Sequence, residues 1–418
     1  MTGWAHRPFA HRAVRLFPLA CTMSLVAVGL VVRAHNAARA TRSMVAPQRS
    51  PLAQPAASVV DPPVLDADVS PHVMTLHGDS ARSGRARGHF PSAARMLWRF
   101  DAGGPISAQV TTTEDAQTFF VVTLNGRVSA VDRQGHARWS IEFGKRIYSS
   151  PLVLADRILF GTDEGQFLAV SHAGKLLWKF STDGDADTSA LKVGPLVIFA
   201  SGKRVYALDA GGVVKWRYQA RRKVFSSPAL TGDQQIVFGS QDGHVVALSL
   251  AGAEAWRTDV GGQVDAAPSR GPEGSVYVGT DAQEVVKLDA RGSIAWKCNV
   301  GGYVRGSLTV ARNGDIVAGT YGPNPKVVRI SPAGSLVRSF SVRGTGSKEF
   351  GIHGSATEDD QGRFAFGAQD DLVRVLSRTF DEEWSFPTGA DVDAPLTLLP
   401  DGTLLVPSED GKLYAFAP

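Results

Sequence analysis

The 418-residue chain has little cysteine, methionine or histidine: two Cys, five Met and ten His. Two cysteines, Cys21 and Cys298, exclude a disulfide scaffold and any Cys-cluster metal site. No G-x-S-x-G, H-E-x-x-H, C-x-x-C or P-loop pattern occurs, so the common nucleophile, zinc-protease, redox and nucleotide signatures are missing. Lysine is absent from the first 97 residues, which hold 11 Arg and four Asp, a balance of +7. The rest carries 33 basic against 36 acidic residues, or −3. The basic character therefore belongs to the N-terminal tail, and the remainder's charge balance disfavours nucleic-acid binding. A composition of 43% hydrophobic and 20% charged residues supports a sizeable core. With 44 Gly and 23 Pro it favours short strands and turns over long helices.

One apolar run approaches membrane length. Arg7, Arg12 and Arg15 precede Leu16–Val32, and Arg33 ends it. Seventeen residues fit either a long signal core or a short anchor, and an A-x-A spacing follows at Ala38–Ala40. Both alternatives place the remainder outside the cytoplasm, with membrane association through this segment only. Residues 1–42 are thus read as signal peptide or anchor. Residues 43–76, rich in Pro and Ala, are read as an extended linker.

The remaining chain is repetitive. Trp98, Trp139, Trp178, Trp216, Trp256 and Trp296 recur every 38–41 residues, and Trp384 follows after a gap of 88. Five units share an Ala or Lys, a Gly five residues on, and the Trp nine residues on, as in Ala130, Gly135 and Trp139. A sixth unit, Arg329 to Arg338, has Arg for Trp, and a seventh, Val375 to Trp384, has Phe380 for Gly. About 40 residues per unit, with alternating short apolar runs, specifies a four-stranded antiparallel sheet repeated around an axis. The chain ends before an eighth outer strand, and the orphan strand around Trp98 supplies it. The expectation is an all-β, eight-bladed propeller over residues 77–418, closed by its N-terminal strand and monomeric.

These repeats resemble the PQQ-binding-like β-propeller family, named for pyrroloquinoline quinone. The resemblance rests on Ser149-Ser150-Pro151, Gly161-Thr162-Asp163-Glu164-Gly165, their copies at Ser226–Pro228 and Gly239–Gly243, and the Trp motif. The stretch His77–Gly84 is similar to the lead-in of extracytoplasmic members. The family includes quinoprotein dehydrogenases and the propeller lipoprotein of the outer-membrane β-barrel assembly machinery, the nearest simple relative. The dehydrogenases imply an adjacent Cys pair, a quinone and calcium, and this chain has no such pair.

Aligning the innermost strands puts one residue per blade at the mouth of the central channel: Ser107, Tyr148, Asp187, Phe225, Asp265, Arg305, His353 and Asp393. Such a ring suits a cation, a polyol or a basic peptide segment, against the simpler role of lining a wet channel. Two irregular loops share that face, and they contribute Tyr321, Asn324, Lys348 and Phe350 as further candidates. No catalytic or metal-ligating residue is assigned, and His72, His77 and His89 are assigned solvated or local hydrogen-bonding roles. The function expected is a non-catalytic extracytoplasmic scaffold that binds envelope proteins or peptide segments and needs no cofactor. The alternative is a minimal calcium and PQQ-dependent oxidoreductase.

Overall fold

The computed structural model describes residues 72–418 except Asp233. The expected anchor, Cys21 and nearly all of the expected linker lie outside the described residues. Eight four-stranded antiparallel sheets follow one another. Blade one runs through Thr111–Thr112, Thr118–Val122, Arg127–Asp132 and Ala137–Glu142. Each later blade repeats that plan, a two- or three-residue inner strand followed by three longer ones. Blade eight takes three strands from the C-terminus and its outermost, Met96–Asp101, from the N-terminus. Trp98 pairs with Ala415 and Asp101 with Lys412, so no sheet is left a strand short. Among the described residues no helix is long and apolar enough to cross a membrane.

The repeat residues hold neighbouring blades together. The indole of Trp216 lies on Gly252 of the next blade, where an added Cβ would meet the ring at 2.6 Å. Gly252 also has φ +82°, so the turn needs glycine for both space and conformation. The Trp98–Gly135, Trp139–Gly174, Trp178–Gly212, Trp256–Gly292 and Trp296–Gly334 pairs repeat this contact. Most of these indoles also donate to a carbonyl of the next blade, as Trp139 does to His172 O at 2.7 Å. Trp256 instead donates to Gln235 Oε1. Blade eight has no third-to-fourth turn, and the chain entering it substitutes: Trp384 donates to Pro91 O at 2.8 Å.

The two irregular repeats compensate each other. Arg338 of blade six is exposed, and no indole covers the next blade's turn. Phe380 in that turn is buried at φ +69° against Phe364 at 5.4 Å, and Arg329 Nη1 donates to Arg378 O at 2.8 Å, the cross-blade bond that an indole makes elsewhere.

Ser-Ser-Pro also acts across blades. Ser150 Oγ accepts from Gln109 N, Ser189 Oγ from Ser150 N, and Ser227 Oγ from Ser189 N, at 2.8–3.0 Å. This relay links the inner strands of the first four blades around the channel.

Candidate functional site: the channel mouth

The residues five places before the start of each inner strand, Ile106, Ile147, Ala186, Val224, Val264, Val304, Ile352 and Val392, are all buried. Several cover a glycine ending a second strand; a Cβ on Gly239 would meet Val264 at 2.2 Å. With that position fixed in the core, the next residue holds the same register position in every blade, and these eight residues make up the candidate ring.

Five residues beyond the ring, the other end of the channel is sealed. The backbone carbonyls of Val73, Met74, Ser80, Ala81, Ser83 and Gly84 accept from the inner-strand amides of Thr112, Val153, Leu230, Arg270, Val310 and Glu358, at 2.8–3.0 Å. Thr75 Oγ1 reaches blade three by donating to Ala190 O. The chain is thus engaged from Val73, three residues before the expected end of the linker. Arg82, with no side-chain exposure, donates to Pro228 O, Thr75 Oγ1, Leu76 O, Ser189 O and Ala190 O. Burial pulls its pKa down to about 9, still far above neutral, so it remains charged. His77 is buried between Arg82 O and Ala356 O, a local hydrogen-bonding role. Among the described residues the channel is therefore a blind cup that opens at the ring.

On one side of the mouth the structure joins several candidates. Arg305 makes a two-point ion pair with Asp281 at 3.1 and 3.2 Å and reaches Glu349 at 3.4 Å. Its guanidinium carbon lies 5.3 Å from the ring centres of both Tyr303 and Tyr321. Tyr321 meets His353 edge-on at 6.1 Å. His353 is open to the channel yet surrounded by protein; burial and the Arg305 cation both lower its pKa. Tyr321, expected on the loop face, is 8% exposed, because its backbone bridges Tyr303 and Gly351 and turns the ring inward. Asn324 and Lys348 are exposed on the loops, and Phe350 is half-buried, its carbonyl accepting from Gly322 N at 2.7 Å.

The remaining ring residues are dispersed. Asp393 accepts from Gln369 Nε2 at 2.9 Å, while Ser107 donates to Glu409. Burial, with Glu409 nearby, pushes the Asp393 pKa up to about 6; burial with Asp393, Glu409 and Asp371 pushes Asp391 to about 7. Burial and Asp281 raise Asp265. Asp187 reaches about 7 through burial and the charges of Asp185 and Asp163. Tyr148 and Phe225 are exposed.

Sequence reasoning missed a second ring in the turns joining the second and third strands. Asp163, Gln241, Asp281, Tyr321, Gln369 and Glu409 each donate their amide to a carbonyl of the loop before a ring residue, at 2.8–3.0 Å. The signal was present: each follows a Ser, Thr or Ala at or just past the end of a second strand.

The raised carboxylates predict a pH effect. The folded Asp393 pKa exceeds its unfolded value near 4, so the folded state holds the proton more tightly and stability falls as pH rises from about 4 to 6. Asp393→Asn removes that penalty. Thermal denaturation should show the variant about 1–2 kcal/mol more stable at pH 8 and unchanged at pH 4.

Residues 91–238 and 241–334 match the family described as the outer membrane protein assembly factor BamB. The chain belongs to that family. Among curated proteins, none matches it. BamB from Moraxella catarrhalis is similar at 17% identity and TM-score 0.66, covering 78% of this chain and all of that one. A quinohemoprotein alcohol dehydrogenase from Comamonas testosteroni is similar at 12% identity and TM-score 0.70, covering 84% and 81%. A europium-containing methanol dehydrogenase is similar at 11% identity and TM-score 0.68, covering 80% and 89%. At these identities the solved structures show a shared fold, which serves both BamB and the two dehydrogenases.

The ring does not suit a calcium–quinone pair. Asp187, Asp265 and Asp393 stand in blades three, five and eight, and no group of three metal-ligating side chains gathers among the described residues. Arg305 is already committed to Asp281.

Proposed function

We propose that this chain is a non-catalytic, monomeric scaffold of the cell envelope that meets partner proteins through its loop face and channel mouth. The observation that carries the reading is the blind cup. The chain's own lead-in seals one end, and the charged groups at the other are either paired with each other or dispersed. Such a mouth presents a fixed polar and aromatic surface, which suits recognition. Membership in the BamB family supports a place in outer-membrane protein assembly. In this reading residues 1–42 direct or anchor the chain at an extracytoplasmic membrane surface, and the Pro/Ala-rich stretch sets its reach.

Photo-cross-linking residues in the full-length protein, introduced in its native envelope, test the proposal. Positions 324 and 348 on the loop face should capture a discrete envelope protein, whereas Gln134 and Arg291, exposed in third-to-fourth turns on the opposite face, should not. Equal capture at all four positions, or none at 324 and 348, would refute it.

A further inference from the structure

Ten large hydrophobic side chains are exposed among the described residues. Eight lie on outer strands or the turns leading to them; Tyr148 and Phe225, 39% and 37% exposed, stand at the channel mouth. They occupy the ring position of blades two and four, and Asp187 holds the same position in blade three between them. Asp187 Oδ1 is buried without a hydrogen-bond partner. A carboxylate whose neighbours in blade order are two exposed aromatic residues matches the recognition chemistry of an organic cation. The protein shows that geometry internally. The Lys223 ammonium lies 5.5 Å from the Phe225 ring centre and 3.2 Å from Asp185.

We propose that Tyr148, Asp187 and Phe225 receive the ammonium of a lysine side chain presented by an extended segment of a partner protein. This rests on the protein-binding reading above and names what its mouth recognises. Charge complementarity selects the cation, since the carboxylates of Asp163 and Asp185 act on Asp187 here against the single cation of Lys223. The sealed floor selects a side chain that enters from above over a polymer threaded through the ring. Asp187 must be ionised to pair, and its pKa near 7 makes affinity rise from pH 6 to pH 8.

Calorimetric titration of the full-length protein with acetyl-Gly-Gly-Lys-Gly-Gly-amide tests this. The peptide should bind saturably. Its norleucine counterpart, which keeps the methylenes and loses the charge, should bind at least tenfold more weakly. Asp187→Asn should cost tenfold or more, and Tyr148→Leu, at an exposed position, several-fold without disturbing the fold. Equal binding of the norleucine peptide, or no effect of Asp187→Asn, overturns the proposal. Binding of n-butylamine as tight as that of the peptide also overturns it, in favour of a small amine. If the peptide does not bind while positions 324 and 348 still cross-link, this proposal fails and the scaffold reading stands.

Discussion

Arg82→Met is expected to destabilise the protein by about 3–5 kcal/mol, because it removes five hydrogen bonds at once and takes the guanidinium donor from the Pro228 and Ser189 carbonyls. Pro228, Ser189 and Ala190 lie on blades three and four, while Thr75 and Leu76 lie on the lead-in. The guanidinium therefore ties the seal to the ring. No water can reach these carbonyls to replace it, since Arg82 has no exposed surface. Arg82→Lys should recover only part of the loss, because an ammonium has three donors and no planar fork. Thermal denaturation should show a fall of roughly 5–10 °C for the Met variant. A change under about 1 kcal/mol would mean that the lead-in is a surface strap and the cup has no fixed floor.

The second large effect concerns blades six and seven. Phe380→Gly should cost about 2–4 kcal/mol, the loss of a buried aromatic offset by relief of its positive φ. Arg338→Trp alone should cost about 1–3 kcal/mol, since the indole would meet Phe380 where other blades offer a glycine. Together they restore the arrangement seen at Trp296 and Gly334. The double variant should be more stable than the sum of the single effects by at least about 1.5 kcal/mol. Additive energies in denaturant titrations would show that the two departures from the repeat are unrelated.

The same pair shows why sequence reading reached some features and missed others. Spacing along one chain exposed the Trp–Gly repeat, the count of eight and the closing strand at Trp98, since each is periodic in sequence. Arg338 and Phe380 read as two separate lapses because they occur in different repeats, and only packing between blades makes them one exchange. The shared register of Ser107 to Asp393 was legible because the apolar residue before each is uniform, and all eight of those are buried. The partners of Arg305 were not, because Asp281, Tyr303 and Glu349 come from three different loops. The lead-in carried a recognisable motif, yet nothing in its composition says that His77 and Arg82 end up buried in the channel. Their positive φ values, +61° and +54°, are a tertiary effect with no local signal.

The proposed scaffold role requires that this propeller take up no quinone. Calorimetric titration of the full-length protein with pyrroloquinoline quinone, in calcium and again in chelator, tests it most directly. The account predicts no saturable heat in either condition and no change in tryptophan fluorescence. Saturable binding that requires calcium and disappears in Asp265→Ala or Arg305→Ala would contradict it and assign the mouth to a cofactor.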